Sequence, residues 1–296
     1  MLEVVDKVTQ AWGESAPYWE KHRAMIRRMF EAMTAALIEE AGITQGQSVL
    51  DIAGGTGEPA LSIAPWCAPS GSVVCTDAVS AMLSVAKADA LRRNLSNVRF
   101  VQCTGDSLPF RGSLFDSLVC RLGVMFFADP SESAREMLRV LKPGAKLALA
   151  VWHRSEANPF FYLGSQVLAR HVEVPAFDPD APGAFRFAAP GKLARLLERA
   201  GAAGIRERAL TFRIEAPIGL DDFWTMRSEM SETIRERIAP LSAQERLAIA
   251  QEVRTAAREF FADDRMSFPA EALIVSGMRP GSGAPSVQPE RSAESA

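Results

Sequence analysis

A chain of 296 residues, 48% hydrophobic and 23% charged, holds enough apolar material for one large α/β domain or for a core with a cap. Its formal charge of −3 excludes a strong field for nucleic acid, which calls for clustered Lys and Arg. Arg23, Arg27 and Arg28 lie among Glu residues and read as solvated helix faces. The opening Met1-Leu2-Glu3-Val4-Val5-Asp6 is acidic with a short apolar run, so no export signal is expected. No apolar stretch approaches the ~20 residues of a membrane span. Cys67, Cys75, Cys103 and Cys120 show no CxxC pair and no His at ligand spacing, which predicts reduced, buried thiols, no metal and a cytoplasmic protein.

Between Glu14 and Glu40, Met25, Met29, Phe30, Met33, Leu37 and Ile38 recur at three- and four-residue steps and predict a helix closed by Gly42. Strand-then-helix units follow. Ser48–Ile52 reads as a buried strand, then a glycine-rich turn, then a helix starting near Glu58-Pro59. Ser72–Thr76 is a second strand, Ser80–Leu91 a helix, Val98–Gln102 a third strand and Phe115–Cys120 a fourth. Asp129-Pro130 starts a helix that Lys142-Pro143-Gly144 stops, and Lys146–Trp152 is a fifth strand. Beyond it come a helix over Asn158–His171, a Pro/Asp-rich loop over Pro175–Gly183 and a helix over Lys192–Ala200. An alternating strand over Ile205–Ile214, a charged helical stretch over Asp221–Phe261 and an apolar strand over Ala272–Ser276 complete the ordered chain, and the tail from Gly281 predicts disorder. This rhythm implies a doubly wound α/β fold with a mostly parallel, seven-stranded sheet covered on both faces. The organisation expected is an N-terminal helical part (1–45), an α/β core (46–152), the last two strands with helical cap inserts (153–280) and a tail (281–296).

The strongest chemical signal is Val49-Leu50-Asp51-Ile52-Ala53-Gly54-Gly55-Thr56-Gly57, a buried strand ending in an acid and a glycine-rich turn. Glycine permits positive φ and close approach of a ligand to the backbone, although any tight turn needs the same residues. Asp77 ends the second strand twenty residues beyond Gly57, the distance at which a carboxylate reaches a ribose; capping the helix at Ser80 is its other reading. Gly55-Thr56-Gly57-Glu58-Pro59-Ala60 also satisfies G-x-G-x-x-A, which leaves a nicotinamide-dinucleotide site open. Asp51, however, precedes the glycines, where it would repel a pyrophosphate and suit an ammonium or sulfonium. Asp106 follows the third strand, placed to accept from an adenine amino group. A cation, a ribose and an adenine without phosphate describe S-adenosyl-L-methionine. An NAD(P)-dependent oxidoreductase, or a non-catalytic domain that binds the cofactor only to scaffold a partner, remain the alternatives.

On these residues the sequence resembles the class I S-adenosylmethionine-dependent methyltransferases, nearest their ubiquinone/menaquinone-biosynthesis-like, small-molecule branch. Val49–Gly57 is similar to their first motif, Asp77 with Met82-Leu83 to the second, Gly105-Asp106 with Leu108-Pro109-Phe110 to the third, and Val140-Leu141-Lys142-Pro143-Gly144 to the last. The resemblance implies a Rossmann-like methyltransferase fold. It puts Asp51 and the backbone of Ala53, Gly55 and Gly57 around the methionine moiety, and Asp77 on the ribose. Ala78 and Met82 then pack near the adenine, and Asp106 and Ser107 contact it. It also implies an N-terminal lid, to which Trp12, Tyr18 and Trp19 would contribute either as a cover for the sulfonium or as packing. Gly54 departs from a frequent Cys and Ala145 from a frequent Gly.

Methyl transfer to a small, hydrophobic or aromatic molecule, at O or C, follows as the expected activity. His153, after the fifth strand and expected to face the crevice, and Tyr18 are the candidates for a general base, with His22 and His171 behind them. Arg121, a charge inside the apolar run Cys120–Phe127, needs a partner: a cofactor or substrate carboxylate, or a structural acid such as Asp129. Phe160, Phe161, Tyr162, Phe177, Phe185, Phe187, Phe223, Trp224 and Met226 of the inserts serve either a substrate pocket or the core of the cap. No Asn-Pro-Pro-Tyr-like tetrapeptide follows the fourth strand, where Leu122-Gly123-Val124-Met125 stands instead.

Overall fold

One eight-stranded sheet organises the computed structural model, which describes residues 2–173 and 178–281. β1 (Ser48–Ile52), β2 (Ser72–Asp77), β3 (Val98–Gln102), β4 (Phe115–Arg121) and β5 (Leu141–Trp152) pair in parallel in the order β3-β2-β1-β4-β5. β6 (Ala203–Ala216) and β8 (Arg265–Met278) extend the sheet, with β8 antiparallel to both β5 and β6. β1 and β4 are buried almost throughout because both their faces are covered. The order in which strands are added reverses between β1 and β4, which opens a crevice at their carboxyl ends.

The expected count of seven strands is corrected to eight. The addition, β7 (Phe261–Ala262), is a two-residue partner of the start of β8. It forms because Asp263 and Asp264 both adopt positive φ, 47° and 55°, the conformation of a tight hairpin turn. β8 is also far longer than the apolar signal at Ala272–Ser276. Its first half pairs with β6 and, at Arg265 and Met266, with β7; Pro269, opposite Arg213, lies in the stretch that β5 does not reach, where a missing donor is tolerated.

Helices pack where apolar faces demand it. α2 (Glu31–Glu40) lies on β4, β5 and β8; α3 (Ala60–Cys67) and α4 (Ser80–Arg92) on β2 and β3; α5 (Pro130–Val140) on β5; α7 (Lys192–Arg199) on β6 and β8. The first helix begins earlier than its periodicity indicates: α1 runs Leu2–Met29, with the chain bending at Phe30 before α2. α6 (Pro159–Leu168), α8 (Leu220–Met230), α9 (Glu232–Ile238) and α10 (Ala243–Ala257) pack together as a cap on the outer half of β8. The stretch expected as largely helical after Asp221 divides because Ser231 and Ser242 each cap a new helix, accepting from the N–H of Ile234 and Glu245. Phe177 and the tail beyond Gly281 lie outside the described residues.

Cap and core meet at Asn158, which is 0% exposed. Its amide donates to the carbonyls of His153, Arg154 and Glu271 at 3.3, 3.0 and 3.0 Å and accepts from the N–H of Glu271 at 3.0 Å. Asn158→Ala strands these buried groups, so urea unfolding should show a loss of about 2–4 kcal/mol.

Candidate functional site

The crevice is walled by the β1–α3 turn (Ala53, Gly54, Gly55, Thr56, Glu58), the exit of β2 (Asp77, Ala78, Val79, Met82), the exit of β3 (Cys103, Thr104, Gly105, Asp106), the exit of β4 (Arg121, Leu122, Gly123, Phe126, Phe127) and α1 (Thr9, Trp12, Trp19, Arg23, Ile26). Its space, open mouth included, is about 1320 Å³. Tight backbone makes this possible. Ala53, Gly55 and Leu122 stand at φ 57°, 55° and 62°. A Cβ on Gly123 would come within 2.5 Å of the Ala53 methyl, and one on Gly54 within 2.5 Å of Cys75 Sγ and 2.6 Å of Asp51 Oδ2. Cys75 thus fills the space that a side chain at position 54 would need.

The three strand-end acids do not play equal parts. Asp77 lies on the crevice wall and accepts from the N–H of Gly55 and of Val79, both at 2.9 Å. Burial pushes its pKa up, against the backbone donors of Val79, Gly55 and Ala78. Asp106 is on the same wall, half-buried. Asp51 is not: it is 0% exposed beneath the turn, where Oδ2 accepts from the N–H of Ala60 at 3.0 Å and Oδ1 has no partner. Burial holds the Asp51 carboxyl well above the usual range; the Ala60 N–H and Arg121 oppose the shift, while Glu58 and Asp77 add to it. The acid facing the crevice beside the glycines is Glu58. Arg93 Nη1 donates to its Oε1 at 2.8 Å, and its Oε2 is sealed without a partner. Sequence reasoning passed over Glu58, although it directly follows Gly57.

Arg121 is 8% exposed, donates from Nη1 to Thr34 Oγ1 at 2.9 Å and lies over the Phe30 ring at 5.7 Å. Burial pulls its pKa down, with Glu58 and Asp51 opposing. Asp129 is not its partner, because that carboxylate caps α5, accepting from the N–H of Ser131 and Glu132 at 2.9 Å each. Trp12 packs edge-on with Trp19 and Phe126 at 5.6 and 5.3 Å, and the Trp19 indole N–H is occluded and unpartnered.

Other expected residues lie elsewhere. His153 is turned away from the crevice because its Nδ1 pairs with Glu271 of β8 at 2.7 Å. Tyr18 is off the wall, under the guanidinium of Arg235 at 5.0 Å. His22 pairs with Glu229 and His171 with Glu252. Gly57 sits behind the wall, where a Cβ would strike Leu61 and Ala86, and Ser107 is exposed beyond it. Phe160, Phe223 and Met226, each 1% exposed, are core of the cap, with Phe160 and Phe223 packed on Phe268.

With this geometry in place, the chain can be compared with known proteins. The model of the ubiE/COQ5 methyltransferase family matches residues 24–167. Over that stretch, just under half of its length, the chain is similar to that family. A ubiquinone/menaquinone biosynthesis C-methyltransferase of Pseudomonas aeruginosa is 37% identical over 134 residues, 45% of this chain and 51% of that protein. The chain therefore spans about half the length of the curated relatives it matches. The YcgJ protein of Bacillus subtilis superposes with a TM-score of 0.55 at 21% identity, over 83% of this chain and 97% of that one. The cyclase SpnF does so with 0.51 at 20% identity, over 84% and 81%. At such identities the likeness is one of fold, and SpnF shows that the fold carries more than one chemistry.

The cofactor of this methyltransferase family, S-adenosylmethionine, fits the residues present. The carboxyl groups of Glu58, Asp77 and Asp106 share one crevice wall with a buried cation, Arg121. A pyrophosphate does not fit: Asp51 takes the Ala60 N–H and Asp77 the Gly55 N–H, the backbone donors it would need.

Because burial raises the Asp51 pKa, the folded chain holds that proton more tightly than the unfolded one, and stability falls as pH rises above the usual carboxylate range. Asp51→Asn keeps an acceptor for Ala60 and stays neutral. Its stability relative to wild type should climb from near parity in acid as pH rises above the usual carboxylate range. A difference independent of pH in thermal unfolding would contradict the assignment.

Proposed function

We propose that the chain transfers a methyl group from S-adenosylmethionine to a small hydrophobic or aromatic acceptor, and does so in the cytoplasm, where its free cysteines stay reduced. The observation that carries this reading is the charge layout of the crevice: acids around a neutral turn whose backbone donors are already engaged, with one buried arginine. Such a layout suits a phosphate-free molecule that is at once cation and zwitterion.

When bound, S-adenosylmethionine supplies a methyl group already activated by its sulfonium. The chain's own residues hold and orient it. Glu58 Oε2 would accept from the ammonium, Arg121 would hold the carboxylate, Asp77 would accept from the ribose hydroxyls and Asp106 from the adenine amino group, with Ala78 and Met82 against the ring. α1 covers the crevice with Trp12 and Trp19 and keeps water from the reacting centre. Alignment is the main catalytic contribution, worth roughly 7–11 kcal/mol in favourable cases.

C-methylation is favoured over O-methylation by the likeness to the Pseudomonas C-methyltransferase. The net charge and the acids of the wall speak against a nucleic-acid acceptor. No helix among the described residues is long and apolar enough to cross a membrane.

Calorimetry decides against the dinucleotide reading if S-adenosylhomocysteine binds and NAD does not; tighter NAD binding would reverse the conclusion. Asp77→Ala should weaken S-adenosylhomocysteine about 10- to 100-fold, as expected for losing charge-assisted hydrogen bonds. Turnover, followed as labelled methyl transferred to an extracted metabolite fraction, should stay within about three-fold in His153→Ala and Tyr18→Phe, whereas losing a general base costs ~10²–10⁴-fold. No transfer to any fraction would leave the scaffold reading.

A further inference from the structure

Arg227 is a cation that the fold leaves without a counter-charge. It lies on α8, 8% exposed, with its guanidinium over the rings of Phe160 and Phe161 at 4.8 and 5.0 Å. Glu229, two residues on, is already committed to Lys21 and His22. Burial alone pulls the Arg227 pKa down to about 10, with no charge opposing it, so the group stays protonated at neutral pH. Among the described residues its nitrogens find no acceptor, and the residue keeps a small exposed fraction. Burying an unpaired guanidinium is costly, and aromatic faces offset only part of that cost.

The surroundings indicate what completes it. Phe161 packs on Trp152 at 4.5 Å, and Trp152 packs on Phe30 at 5.7 Å and on Phe212 at 6.3 Å. Phe30 belongs to the crevice wall and carries Arg121 over its ring. Phe161 and Phe212 stay half-buried. A row of packed aromatic rings thus links the crevice to the cap through the buried Trp152, with a buried arginine at each end.

We propose that the cap end of this row is the acceptor subsite, and that Arg227 binds a carboxylate carried by an aromatic methyl acceptor. Aromatic rings match the row, and the guanidinium fork matches a carboxylate bidentately. A phenol, neutral at neutral pH, gives a permanent cation much less to hold. The assignment rests on the methyl-transfer reading for its role and makes Arg227 a specificity-determining residue rather than part of the cofactor site.

The test is calorimetric titration of the full chain with 2-naphthoate and with 2-naphthamide, the same ring with and without the charge, both under saturating S-adenosylhomocysteine. Wild type should bind naphthoate at least about ten-fold more tightly than naphthamide. Arg227→Met and the more polar Arg227→Gln should both lose that preference, and Arg227→Lys should recover part of it. The S-adenosylhomocysteine affinity should stay unchanged in all three. Equal binding of the two probes by wild type, no binding of naphthoate, or a preference that survives in whichever neutral variant folds would overturn the proposal. If S-adenosylhomocysteine itself fails to bind, the methyl-transfer reading falls, while the probe comparison, repeated without it, still reports on Arg227.

Discussion

The carboxylate of Asp51 reaches from beneath the glycine turn to the first N–H of α3, and the architecture of the site depends on that contact. It satisfies a helix end from inside the protein and removes the positive pole that the start of a helix otherwise offers to a ligand. Asp77 does the same for the turn itself through Gly55. With the N–H groups of Gly54, Gly55, Gly57 and Ala60 engaged, the crevice relies on side chains, among them the acids Glu58, Asp77 and Asp106 and the cations Arg23 and Arg121. Selectivity for a cationic, phosphate-free ligand is therefore built into how the backbone is satisfied as much as into which side chains line the wall.

Much of the core was legible because its signals are local. Apolar-rich runs marked β1 and β4, the Asp129-Pro130 pair marked the start of α5, and the glycine turn marked the crevice. What was hidden depends on contacts distant in sequence. Asp51 and Glu58 are seven residues apart, yet the backbone turn sends one inward and the other to the wall. His153 ends a strand as expected, but Glu271 on the neighbouring antiparallel strand captures it. The outer half of β8 carries Pro269 and polar residues and looked unlike a strand. Its pairing with β6, beyond the reach of β5, explains it.

Fold and site also divide the charged residues in a way that composition hides. Several arginines are neutralised by nearby acids, such as Arg93 with Glu58, Arg139 with Glu136 and Arg208 with Glu40. Arg121 and Arg227 are the buried exceptions. Each lies against aromatic rings and neither has a carboxylate in an ion pair, although Arg121 feels the field of Glu58 and Asp51.

The segment from α8 to α10 leaves the sheet after Ala216 and returns at Met266, and those two residues are partners in the ladder. Entry and exit of the cap are therefore neighbours on adjacent strands, joined like the two ends of a handle. A module attached that way can be exchanged for another of different length without altering the register of the strands beneath it. Diversification of acceptor range in such a molecule needs no change to the machinery at the opposite side of the sheet.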